Sequence, residues 1–118
     1  GIDKTLMEAS LEGVLKHWKL EELWGWDFPL MAMCAARLGK PELAIDLLLA
    51  DSPKNTYTPN GHNAQLPKAD LPLYLPGNGS LLLALALMAG GWEGCEGSAP
   101  GFPKEGWVVE SEGLKRFW

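Results

Sequence analysis

Apolar residues recur along the first fifty positions at the spacing of helices. Over residues 4–18, Met7, Leu11, Val14, Leu15 and Trp18 share one face, while Lys4, Glu8, Glu12 and Lys16 keep the others polar. Thr5 followed by Glu8 has the form of a capping box, so the spacing predicts an outer, amphipathic helix here. Residues 28–38, FPLMAMCAARL, are apolar or small almost throughout. Asp27 stands where it can cap this second helix, Pro29 is tolerated in its first turn, and Gly39 stops it. Pro41 opens a third helix over residues 41–50, with Leu43, Ile45, Leu47, Leu48 and Leu49 on one broad buried side. The tight turn at Gly39, Lys40 and Pro41 makes helices two and three an antiparallel hairpin.

The rest of the chain is arranged around residues 71–91, LPLYLPGNGSLLLALALMAGG. The uncharged run of Leu, Ala and Met suits a helix. Asn78 or Ser80 is suited to cap its start, and Gly90 with Gly91 to end it. A helix apolar on every side is expected to be buried on every side. This one is too short for a bilayer, which takes about 20 apolar residues. Before it, residues 51–77 show no convincing helix or strand. Loops of that length inside a domain are usually functional or disordered, and the aromatic and amide content favours function. After it, residues 92–106 are rich in Gly and Pro, and WVVESEGLKRFW suits one or two short strands.

The predicted fold is therefore mainly α. Antiparallel helical hairpins fill residues 1–91, interrupted by a long loop, and a Gly/Pro-rich tail with a short C-terminal β segment fills residues 92–118. Helices apolar nearly all round (28–38 and 81–88) alternate with amphipathic ones (4–18 and 41–50). Inner and outer helices alternate in this way in a toroidal stack of hairpins, whose inner helices bring their N-termini to one rim.

Composition narrows the function classes. A chain of 118 residues is one domain or part of a larger one. With 47% hydrophobic and 21% charged residues it is not a disordered tail. A formal net charge of −5, with no basic cluster, argues against a nucleic-acid surface. Cys34 lies in an apolar helical pattern and reads as a small buried hydrophobe, whereas Cys95 sits in a Gly-rich loop; whether they pair is open. Gly1, Ile2, Asp3 and Lys4 lack the layout of a signal peptide, as would a chain that begins after one or inside a longer protein. There is no nucleophile elbow, no phosphate loop and no set of metal ligands at matched spacing, so neither a metal nor a cofactor is implied.

Several segments in order, WGWDFPLMAMCAARLGKPELAIDLLL, NGHN, LPGNGSLLLALALMAGGW and PGFPKEGWVVESEGL, carry a resemblance. Together they resemble the C-terminal end of six-hairpin, (α/α)6-barrel glycoside hydrolases, and most of all the family 95 α-fucosidases and their uncharacterised relatives. The likeness covers residues 24–114 and is one of order and spacing. It implies the last third of a catalytic domain in a bacterial hydrolase of carbohydrate metabolism, secreted or periplasmic. The chain alone would be inactive. The partners implied are an oligosaccharide or glycan and the remainder of the barrel, or a second copy of the chain; no nucleic acid and no membrane is expected. The family carries Gln-x-Asp-Gly-Asn before its last inner helix. Here Pro76 stands in place of that Asp, so the family's mechanism does not transfer intact, and its general acid would lie upstream of Gly1.

Within that frame Asp27 and His62 are the candidate catalytic residues. Glycosidases use paired carboxyl groups, and Asp27 follows Trp24, Gly25 and Trp26; it serves equally as a helix cap. His62 sits among Asn60, Asn63 and Gln65, a loop whose amides suit sugar hydroxyls, although Asn60 and Gly61 also form an ordinary turn. Trp24, Trp26, Tyr74 and Trp92 are candidate platforms for a pyranose ring, with Trp24 or Trp26 favoured rather than both, against an alternative role in packing. Asn78 either caps the helix or reaches the cleft. Asp70 and Glu93 are weaker acid/base alternatives. A non-catalytic helical module that binds a sugar or a protein through the same loop is the alternative function.

Overall fold

The computed structural model describes residues 1–65 and 71–118. It is mainly helical, with one small two-stranded antiparallel sheet. Helix α1 spans Lys4–His17, α2 Asp27–Arg37, α3 Pro41–Leu48 and α4 Leu75–Gly90. Strands β1 (Thr56–Tyr57) and β2 (Asn63–Ala64) pair Thr56 with Ala64 and Tyr57 with Asn63.

The α2–α3 hairpin turns at Gly39, which adopts φ +76°, a conformation that costs glycine little. Phe28, Met31, Ala32, Ala35 and Ala36 of α2 meet Ala44, Ile45 and Leu47 of α3 and Leu87 and Met88 of α4 in the core. The alanines let α2 approach both neighbours closely. Helix α1 contributes Leu11 to this core, while Leu6, Leu15 and Trp18 remain exposed.

Helices α2 and α4 lie side by side and run parallel. At their N-terminal ends the Ser80 hydroxyl donates to the Trp26 carbonyl at 3.2 Å. At the other end Arg37 of α2 donates to the Trp118 carbonyl at 2.9 Å, and Phe117 N–H donates to the carbonyl of Gly91, the α4 cap. The tail packs on α4 through Gly101, whose N–H donates to the Met88 carbonyl at 2.9 Å. A Cβ at Gly101 would lie 2.5 Å from Met88 Cα, so only glycine fits there.

Five expectations are corrected. The C-terminal tail has no strand, only a single parallel bridge between Trp92 and Phe117; the strands lie instead in the long loop, where each is too short to show an alternating pattern. That loop is also not structureless, since a 3-10 turn at Pro53–Asn55 leads into β1. Helix α4 starts at Leu75, with Pro76 in its first turn where no backbone donor is lost, so Asn78 and Ser80 lie inside the helix and cap nothing. The α1 cap is Asp3, whose carboxylate accepts from Thr5 and Leu6 N–H at 2.9 and 3.3 Å, and Glu8 pairs with Lys40 instead of closing a capping box. Finally, α4 is not buried all round. Leu75, Leu82, Leu83 and Leu85 are exposed, Leu82 to 68%. An open, mostly apolar groove of about 560 Å³ runs along α2 and α4 beside this face, walled by Ile2, Met7, Leu30, Met33, Leu83 and Trp92.

Candidate functional site

Two buried amides tie the long loop to the starts of α2 and α4. Asn63 and Gln65 are fully buried. The Gln65 amide oxygen accepts from Gly25 N–H at 2.9 Å, and its NH2 donates to the Lys54 carbonyl and to Asn63 Oδ1 at 3.2 and 3.0 Å. Asn63 in turn donates to the Lys54 and Thr56 carbonyls at 3.2 and 3.0 Å. Every polar atom of the pair has a partner within the chain, as burial requires. A Cβ on Gly25 would fall 2.1 Å from Asn63 Oδ1, and one on Gly77 would fall 1.9 Å from the same atom. Asn63 is therefore wedged between two glycines, one preceding α2 and one in the first turn of α4.

This clasp gathers a rim at the shared N-terminal ends of the two helices. Asp27 is the first residue of α2, and its Oδ2 accepts from Trp24 N–H at 2.8 Å. It closes the turn that presents the two tryptophans and does not cap its own helix, which corrects the cap expected from sequence. Trp24 packs against Tyr74 with ring centroids 5.7 Å apart, and Lys54 Nζ lies 4.3 Å from the Trp24 ring centroid, a cation–π contact. Burial, and then the negative charge of Asp27, push the Tyr74 phenol above its ordinary range, because both disfavour the phenolate. Trp26 is 47% exposed against 37% for Trp24, and no comparable aromatic or cationic contact engages it among the described residues. Of the two, Trp26 is the more open ring.

The structure thus brings Trp24, Trp26, Asp27 and Tyr74 to one rim, with Asn63 and Gln65 behind it. Asn63 and Gln65 were expected to meet substrate. Their burial and full internal bonding leave no group free for a ligand and make them positioning residues. Asn60 and His62 lie on the exposed hairpin turn, where Thr58 organises the backbone: its hydroxyl accepts from His62 N–H at 3.1 Å. Asn78 donates to the Gly61 carbonyl at 2.7 Å and so fastens that turn to α4. His62 immediately precedes Asn63, and Asp27 lies two residues after Gly25, so the clasp ties together the stretches that carry the two residues. Asp70 falls outside the described residues, and Glu93 is exposed in the tail near Phe117, away from the rim.

Lys54 belongs to this arrangement and was not singled out from sequence; Ser80 was read there only as a helix cap, and no packing role was read for Gly25 and Gly77. Glycine inside a helical or aromatic run was the available signal for the last two; nothing local marks Lys54. Cys34 and Cys95 are free thiols, and burial raises Cys34 above the usual thiol range. Among the described residues no three His, Cys, Asp or Glu side chains stand close enough to hold a metal, and no helix is long and apolar enough to cross a membrane. Compared with known protein families, curated proteins and solved structures, the chain gives no match.

Proposed function

We propose that this chain is the closing portion of an (α/α)6-barrel carbohydrate-active enzyme and supplies one wall of a glycan cleft for glycosidic hydrolysis. The observation that carries this reading is the parallel α2–α4 pair, whose N-termini share a rim bearing Trp24, Trp26, Asp27 and Tyr74. Neighbouring inner helices of such a barrel run in this way. Trp26 offers a sugar C–H face its ring, and the Asp27 carboxylate stands one residue away, as one of the two carboxyl groups the chemistry needs. The exposed leucines of α4 and the adjoining apolar groove are the surface on which the rest of the barrel packs; monomeric proteins rarely leave such patches open.

The test is reducing-sugar release from plant and host oligosaccharides by the complete barrel. Asp27→Asn is expected to abolish turnover with unchanged circular dichroism. Unchanged turnover would leave Asp27 as a turn-closing residue, and failure to bind or cleave any glycan would overturn the reading. One observation favours a second reading, a non-catalytic sugar- or protein-binding module: the Asp27 carboxylate is already engaged by Trp24 N–H. Glycan binding by the complete barrel without turnover would select it.

A further inference from the structure

A second cavity lies at the opposite end of the molecule. It measures about 620 Å³ and is bounded by Pro41 at the start of α3 and by the tail, including Glu96, Ser98, Phe102, Lys104 and Trp107. The length of α2, about 16 Å at 1.5 Å per residue, separates it from the Trp24–Asp27 rim. We propose that this cavity binds a neutral pyranose unit of a glycan, with Trp107 as the stacking platform.

Three observations support the assignment. Trp107 is 44% exposed in the cavity wall and is braced by Phe102, whose ring centroid lies 5.5 Å away at 53°. Both rings line the cavity, but Phe102 is only partly exposed, which leaves one open aromatic surface of a size for one sugar face, whereas proline-rich peptides dock in grooves lined by successive aromatic side chains. Polar groups of both kinds line the same cavity: the Ser98 hydroxyl donates and accepts, Glu96 accepts and Lys104 donates, which matches sugar hydroxyls. Neither Glu96 nor Lys104 is in an ion pair among the described residues.

The wall is also pre-organised. Pro41, Pro100 and Pro103 stiffen it. Ala99 is held at φ +44°, a strained conformation for a residue with a side chain. The turn it begins is closed by Phe102 N–H donating to the Ala99 carbonyl and is fixed to α4 by Gly101 on Met88. A wall already ordered loses little entropy on binding.

The test is a glycan array probed with the 118-residue chain, followed by NMR titration of the retained oligosaccharide while the Trp107 indole N–H is observed. At least one neutral glycan is expected to bind and to move that resonance, and Trp107→Ala to weaken binding about tenfold or more, the scale of one lost aromatic contact. Ser98→Tyr, which fills the cavity from an exposed position, is expected to do the same with the core intact. Binding that survives both substitutions but is lost in Trp26→Ala would overturn the proposal and leave the rim as the sugar reader. A proline-rich peptide moving the Trp107 resonance while no glycan does would overturn it in favour of peptide recognition. No retained glycan would also overturn it, without touching the rim, which turnover of the complete barrel judges separately.

Discussion

Replacing Gly77 by alanine sets two effects of opposite sign against each other. Gly77 is in the first turn of α4, and helix propensity alone would credit Ala with up to about 1 kcal/mol of added stability. The new methyl carbon, however, would sit 1.9 Å from Asn63 Oδ1 and 2.8 Å from its Cγ, so the buried amide must leave its place. Leaving breaks its two donations, to Lys54 and Thr56 carbonyls, and the bond it accepts from Gln65. Three net hydrogen bonds at about 1 kcal/mol each, with about 1–3 kcal/mol for overpacking, outweigh the propensity gain and leave a loss of about 3–5 kcal/mol. Gly79 is the internal control: it lies in the same helix, and a Cβ there meets nothing within 4 Å, so Gly79→Ala is expected to be neutral or to stabilise by up to about 1 kcal/mol. Urea denaturation followed by far-ultraviolet circular dichroism gives both values. The double variant Gly77→Ala with Asn63→Gly, which removes the colliding side chain, is expected to cost less than the sum of its parts. A Gly77→Ala protein as stable as the parent chain, or strict additivity in the double variant, would refute the wedge.

Other expectations follow from single contacts. Asp3→Ala removes the α1 cap and is expected to cost about 1 kcal/mol in urea melts, whereas Thr5→Ala changes little. Trp24→Ala, which strips the packing of Lys54 and Tyr74, is expected to lower the melting temperature more than Trp26→Ala does. Lys40 holds the Glu8 carboxyl below its ordinary value, chiefly by a hydrogen bond and then by its charge, and Glu8 raises Lys40 in the same way. The Glu8 contribution is therefore present above the ordinary carboxylate value and lost as pH falls through the lowered one. That of Lys40 is lost only as pH rises through a value above the usual lysine range. Melts of Glu8→Gln and the parent chain are expected to differ at pH 7 and to converge near pH 2; a gap that persists in acid would show that charge is not the cause. Cys34, whose burial disfavours the thiolate, is expected to be alkylated at pH 7 more slowly than a free thiol in solution, as read by mass spectrometry.

The helices were legible because their signals are local. Apolar spacing, Gly39 and Pro41 gave α2 and α3 to within a residue or two. The start of α4 was not, because glycine and proline in Leu75–Ser80 read as a loop by local preference. Only contact with Asn63, far away in sequence, gives Gly77 a reason to be glycine inside a helix. The two-residue strands were hidden for the same reason: they are defined by their pairing, not by any run of β-forming residues. At the site, Trp24, Trp26, Asp27 and Tyr74 stood out by residue type and are together in space. Asn63 and Gln65 stood out by type as well, but polarity alone cannot separate an amide that waits for a ligand from one consumed by the backbone. Lys54 was invisible, since its role depends on a ring thirty residues earlier in the chain.

The fastening between the long loop and the two helix starts contains no ionisable group. It consists of two side-chain amides, one backbone N–H and two carbonyl oxygens. Salt has no pair of charges to screen there, and no proton is gained or lost between acid and alkali. The fastening itself is accordingly indifferent to ionic strength and acidity, whereas the Asp27 turn, the Lys54–Trp24 contact and the Glu8–Lys40 pair at the other end of α2 all rest on charged groups.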